Sequence, residues 1–207
     1  MQLSVILAYI SMISTVIPLV VALFLFKKLS IEMKLFLGYF AITIVVDSIS
    51  LYLIMTKGSV FWMHHYFTLF EYFTFASLFL YWHKRRWGKL VSALSMPIFT
   101  IFWIVSKIYF EQPDDFDYLT STTESVFLIA ISIFYFLESA EYAYPRISKR
   151  YSFWVTSGVL IYFSSNFLTF IFANVAEFWF FHHVINFFTN MLFVYAFYLC
   201  AVSAADK

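Results

Sequence analysis

Ten polar side chains stand inside stretches of this chain that are otherwise aliphatic or aromatic: Asp47, His64, His65, Glu71, Glu124, Asn166, His182, His183, Asn186 and Asn190. Carboxylates and imidazoles take up and release protons or hold a cation, and amides hydrogen-bond a polar solute. Histidine with carboxylate is also a donor set for zinc. An ionisable group in the middle of an apolar span costs about 2.5–3.5 kcal/mol to insert, which makes function its first reading. His64, Thr68 and Glu71 fall at i, i+4 and i+7, and Asn186 and Asn190 fall at i+3 and i+7 from His183. On helices each set forms one stripe. If both stripes face the interior of a bundle, they line a polar cavity that opens to one side of the membrane.

Blander roles compete for the same residues. A histidine one turn from the membrane surface also serves as a headgroup contact or a hydrogen-bonded core residue. Asn166 and Asn190 also serve as glue between helices, at about 0.6 kcal/mol per bond. Glu138 and Glu141 lie near Arg146, where an ion pair at the inner rim is expected. Glu71 lies about 15 Å deep at 1.5 Å per residue, and no Lys or Arg stands at that depth. Lys107 is too near the outer end of its span to reach it easily. Glu71 is therefore expected to be unpaired. Pro18 and Pro97 are expected to kink their helices.

The elements that carry these groups follow from composition. Of 207 residues, 63% are hydrophobic, 24% aromatic and 12% charged. Soluble domains run at about 45–50% apolar and about 25% charged, so the expected solvent is lipid. The net charge of +1 provides no global field for nucleic acid. Cys200 is the only cysteine, which excludes an internal disulfide and a cysteine-built metal site. A bilayer core about 30 Å thick needs about 20 apolar residues of helix. Seven segments qualify: 4–26, 35–56, 61–82, 90–110, 119–140, 152–174 and 178–201. The third, FWMHHYFTLFEYFTFASLFLYW, is oily enough to read as a lipid-facing helix. The first is too long for a signal h-region and has no basic residue before it, so it reads as a span. The fold class is thus an all-α integral membrane protein, one domain over 1–207 with no soluble module.

Orientation follows the basic residues. Eleven fall in alternate loops and the carboxyl tail: Lys27, Lys28, Lys34, Lys84, Arg85, Arg86, Lys89, Arg146, Lys149, Arg150 and Lys207. Only Lys57 and Lys107 fall on the other side, with Glu111, Asp114, Asp115, Asp117 and Glu177. The amino end is expected outside and the carboxyl end in the cytoplasm, in a bacterial cytoplasmic membrane. Trp62 and Trp179 mark the outer boundary, and Trp82, Trp87 and Trp154 the inner one.

An internal echo links the third and seventh spans. WMHHYFTLFEYFTFASLFLYW (62–82) aligns without a gap on FFHHVINFFTNMLFVYAFYLC (180–200). The two histidine pairs coincide, Thr68 meets Asn186, and Glu71 meets Thr189. Asp47 precedes His64 by 17 residues, and Asn166 precedes His182 by 16. These matches suggest parallel repeats, 1–82 and 119–201, joined by a linker helix at 90–110. This layout resembles the SWEET sugar transporters and the PnuC vitamin transporters, both built as three helices, a linker and three helices. The resemblance is of layout and assigns no residue a role.

The leading expectation is a small-solute or ion-coupled transporter with a polar cavity open to the outer side. One alternative is a seven-helix receptor, sensor or accessory subunit that acts through a partner. Helix seven has no lysine for a retinal Schiff base. Another is a membrane-embedded metal-dependent hydrolase, similar in span count to the alkaline ceramidase and adiponectin-receptor type. The two histidines spaced by three in the last helix of that type are absent here, and adjacent histidines point about 100° apart on a helix. No catalytic residue, cofactor or metal is legible. The expected partners are the lipid bilayer and a small molecule or ion, with an oligomer or a partner subunit left open. The topology has a direct check. In a Cys200→Ser background, single cysteines at Asp115 and Lys89 should be labelled from opposite sides of the membrane. Labelling of both by an impermeant reagent on intact cells would overturn the orientation.

Overall fold

A computed structural model describes residues 2–56, 58–142, 147–172 and 176–205, and every regular element among them is helical. Lys57, Arg146 and Lys207 lie outside the described residues, as do the side chains of Glu177 and Trp179. The helices are α1 (Gln2–Ser14), α2 (Val16–Phe24), α3 (Ile31–Met55), α4 (Phe61–Trp82), α5 (Arg86–Tyr109), α6 (Tyr118–Tyr142), α7 (Tyr151–Ile171) and α8 (Ala176–Ala205). Short 3₁₀ turns occupy Phe26–Lys28 and Ile147–Lys149. Apolar runs in lipid have no water to satisfy their backbone, and a helix satisfies it within the segment.

Five helices, α3, α5, α6, α7 and α8, are long and apolar enough to cross a membrane. That is the composition of a helical membrane protein. The remaining two expected spans differ from the other five. The run 4–26 is divided at Thr15 into α1 and α2. Pro18 supplies the reason, because it has no N–H to give the Ser14 carbonyl and its ring crowds that carbonyl. By contrast, α5 continues through Pro97 as one helix. The 22 residues of α4 reach about 33 Å, but histidine, threonine and Glu71 dilute its apolar character. Nor is α4 a lipid-facing helix. His65, Thr68, Glu71, Tyr72, Phe75 and Phe79 are all buried, so its polar load faces protein.

The packing order closes a ring. α2 packs on α3, α3 on α4, α4 on α6, α6 on α7, α7 on α8, and α8 on α1 and α2. α5 packs on α4 and α6. Small residues set these approaches: Gly88, Ser92, Ser95 and Ser106 form the buried face of α5, and Ser121, Ser125, Ser132 and Ser139 are buried along α6. Between apolar helices in lipid, close van der Waals packing takes the place of a hydrophobic drive. At Gly158, α7 lies so close to α8 that a Cβ would collide with the Phe193 ring.

Two buried glutamates tie the α5 hairpins. At the end of the bundle that carries the basic 83–89 turn, Glu138 Oε1 accepts the N–H groups of Lys84 (2.6 Å) and Arg85 (2.7 Å). Its Oε2 lies 2.5 Å from His83 Nδ1. Glu141 pairs with Arg85, and the expected rim partner Arg146 lies outside the described residues. At the opposite, acidic end, Glu111 Oε1 accepts the N–H groups of Leu119 (2.8 Å) and Thr120 (3.0 Å). Its Oε2 takes Lys107 Nζ at 2.6 Å and the Thr120 hydroxyl. Glu111 meets N–H groups that the first turn of α6 leaves unpaired, at the positive end of its dipole, and Glu138 meets those just ahead of α5.

Burial pushes the Glu111 carboxyl up, but the bonds from Lys107 and Thr120 outweigh it and hold the group below its ordinary value. A depressed folded value means that the stabilisation is complete above the unfolded value of about 4.3. It is lost as pH falls through the lower folded value. Glu111→Gln should therefore lower stability by about 1.5–3 kcal/mol at neutral pH. In thermal unfolding the gap to wild type should close as the pH falls below about 4. Equal melting of the two proteins at pH 7 would show that the clamp contributes nothing.

Candidate functional site

A cavity of about 400 Å³ lies inside the ring, in the half of the bundle nearer the acidic end. Its wall comes from α1, the break at Thr15, α3, α4, α6, α7 and α8, and α5 lines none of it. The sequence pattern accounts for each contribution. Tyr39, Thr43 and Asp47 repeat every four residues along one face of α3, and Tyr162, Asn166 and Phe170 do the same on α7. α4 presents the stripe His64, Thr68 and Glu71, and α8 presents His182, His183, Asn186 and Asn190.

Nine of the ten side chains singled out from the sequence therefore line one cavity. His65 does not. It is buried on another face of α4, with Nε2 3.0 Å from the Asp115 carbonyl oxygen, and its own carbonyl accepts the Trp103 indole N–H at 2.8 Å. Adjacent positions on a helix point apart, and here the second histidine of the pair tethers the 111–117 loop.

The hydrogen bonds separate structural from unsatisfied groups. Glu71 is 5% exposed and accepts the Tyr39 hydroxyl at 2.5 Å. The expected unpaired acid thus has a neutral donor, which satisfies an oxygen without adding a second charge. Thr68 donates to Asp117 Oδ2 at 2.5 Å. Asn186 donates to Ser11 Oγ at 2.7 Å, and Asn190 donates to Ser14 Oγ at 2.8 Å, which ties α8 to α1 beside the break. Glu124, 2% exposed, has Oε1 buried without a hydrogen-bond partner, and Asn166 Oδ1 is in the same condition. A native interior leaves few such groups, and each calls for a specific explanation.

Four carboxyl groups, Asp47, Glu71, Asp117 and Glu124, line this space, and no Lys or Arg is among its lining residues. Asp117 was missed as a site residue because it reads as one more charge of an acidic loop. Its signal is its place three residues before the hydroxyl-rich TSTTES at the start of α6. Tyr39 was missed because one tyrosine among 15 draws no notice, although its spacing from Asp47 marks the same face. Below the cavity an aromatic stack fills the bundle. Phe36 meets Phe193 edge-on at 5.0 Å, and Phe75 meets Phe163 edge-on at 5.5 Å. Among the described residues, no three His, Cys, Asp or Glu side chains converge on a metal-binding arrangement.

The class these features define is a helical membrane protein with a polar cavity inside its bundle. Compared with known protein families, with curated proteins and with solved structures, the chain finds no match in any of the three.

The Tyr39–Glu71 bond can be tested alone. Tyr39→Phe keeps the ring that packs on Phe36, Phe40 and Phe75. The loss of the hydroxyl should cost about 1–3 kcal/mol in thermal unfolding, as for a buried acceptor left unsatisfied. Unchanged stability would mean that Glu71 is satisfied without the phenol.

Proposed function

We propose that this chain is a small-solute carrier whose cavity is the substrate site, open to the outer side of a bacterial cytoplasmic membrane. The observation that carries the reading is the cavity wall, in which four carboxyl groups face a space of about 400 Å³ with no lysine or arginine. Such a space suits a small cationic or amine-bearing solute, or a neutral solute carried with a proton or metal cation. The histidines and amides then supply hydrogen bonds that fix its orientation.

Three further features support this reading. The backbone break at Thr15 lines the cavity, and interrupted helices beside a polar cavity are a recurrent carrier device. The aromatic stack closes the path beyond Phe75 and Phe193, as single-sided access requires. The third feature is the layout. In this proposal α1 and α2 form one broken span and α4 a polar central span, which gives seven spans. Residues 1–82 and 119–201 are parallel repeats, with α5 as the linker. Asp47 and Asn166, and likewise His64 and His182, line the same cavity. Asn186 bonds across to the other unit at Ser11, and Thr68 bonds to Asp117 just ahead of that unit. The acidic end is outside, by the bias of basic residues.

Glu71 is the proposed coupling group, since it sits near mid-span with a partner that carries no charge. Proteoliposomes with an internal pH dye, challenged with small amines, amino acids and sugars, should show uptake for one of these classes. Glu71→Gln keeps the shape and removes titration, so it should fold normally but lose the pH dependence of uptake between about pH 5 and 8. An unchanged pH profile would remove Glu71 as the coupling site. Absence of both binding and uptake for every solute class would remove the carrier reading.

A further inference from the structure

A second recess, of about 760 Å³, lies at the basic end of the bundle, where α4 and α8 end and α5 and α7 begin. Lys84, Lys89, Lys149 and Arg150 line it. Basic residues gather at one face of most membrane proteins because of how these insert, so charge alone identifies nothing. Three other observations single out this recess.

The first is an unpaired donor. Trp82 Nε1 is buried without a hydrogen-bond partner, and Trp82 lines the recess. An indole N–H can only donate, and no acceptor within the protein meets this one. The second is uncompensated charge. Among the described residues, Lys89, Lys149 and Arg150 make no ion pair. The third is preorganisation. Glu138 holds His83 by its Nδ1 and takes the N–H groups of Lys84 and Arg85. Gly88 packs so closely on His83 and Glu138 that a Cβ there would collide with both. The turn that carries Lys84 and Lys89 is held in place by these contacts.

We propose that this recess binds an anionic phosphate group, presented by a lipid headgroup or by a soluble phosphate compound. The phosphate oxygens accept from the Trp82 indole, and Lys89, Lys149 and Arg150 neutralise the charge. Tyr81, Trp82 and Tyr151 in the same wall suit the boundary between headgroup and acyl chain, where aromatic rings with a polar edge collect. Basic pockets between spans bind anionic headgroups by this same chemistry. The site lies at the opposite end of the bundle from the cavity and does not depend on the carrier reading.

Two assays on the full chain test the proposal and separate the two sources. In the first, protein is reconstituted in vesicles of equal phosphatidylglycerol and phosphatidylcholine, and the lipids that it retains are counted by native mass spectrometry. In the second, inorganic phosphate and pyrophosphate are titrated into protein in an uncharged detergent, with thermal shift as the readout. At least tenfold preference for phosphatidylglycerol, weakened by salt, assigns the site to lipid. A saturable thermal shift with phosphate or pyrophosphate assigns it to a soluble compound. Whichever signal is present, Trp82→Phe should weaken it about tenfold. That variant keeps every charge, and so the orientation and the fold. Lys89→Gln, Lys149→Gln and Arg150→Gln together should abolish the signal. The proposal is overturned if neither assay gives a signal. It is equally overturned if Trp82→Phe and the triple variant both leave the signal at wild-type strength.

Discussion

A carboxyl group removed from water must find donors, and in this bundle it must find them without buried lysines or arginines at mid-depth. That requirement organises much of the structure. Glu111 and Glu138 meet it with helix N-termini, which turns two acids near the ends of the bundle into clamps on the connections of α5. Glu71 meets it with the Tyr39 phenol, and Glu32 with the Tyr151 hydroxyl. Each solution is an intersegment bond, so each acid also fixes how two helices sit. Glu124 Oε1 has no such partner and lies in the cavity wall.

The interior divides into a polar half and an aromatic half. Towards the acidic end, hydroxyls, amides and carboxyls surround open space. Beyond Phe75 and Phe193 the same helices turn to rings: Phe36, Phe40, Phe163 and Phe197 are all but completely buried. Edge-to-face contacts between rings are directional and fill volume densely, whereas the amides and carboxyls of the polar half border open space. A chain with 29 phenylalanines can build such a plug. The break at Thr15 lies beside the polar half, where Asn190 reaches the Ser14 and Thr15 hydroxyls.

The sequence by itself determined that the chain is helical and lipid-soluble, because composition and the length of apolar runs leave no other way to satisfy the backbone. It also determined which side chains are out of place in such runs, and the i, i+4, i+7 spacing put several of them on common faces. Only the tertiary structure decided which faces meet. His64 and His65 have the same chemistry and adjacent numbers, yet one lines the cavity and the other holds a loop, because one step on a helix is about 100°. Glu138 reads as a rim charge until the chain reversal after α4 brings three donors to it. Asp117 reads as a loop acid until Thr68, 49 residues earlier, closes on it. Partners separated by long stretches of chain leave no local period in the sequence, so the pairing of each buried acid emerged only when the helices packed.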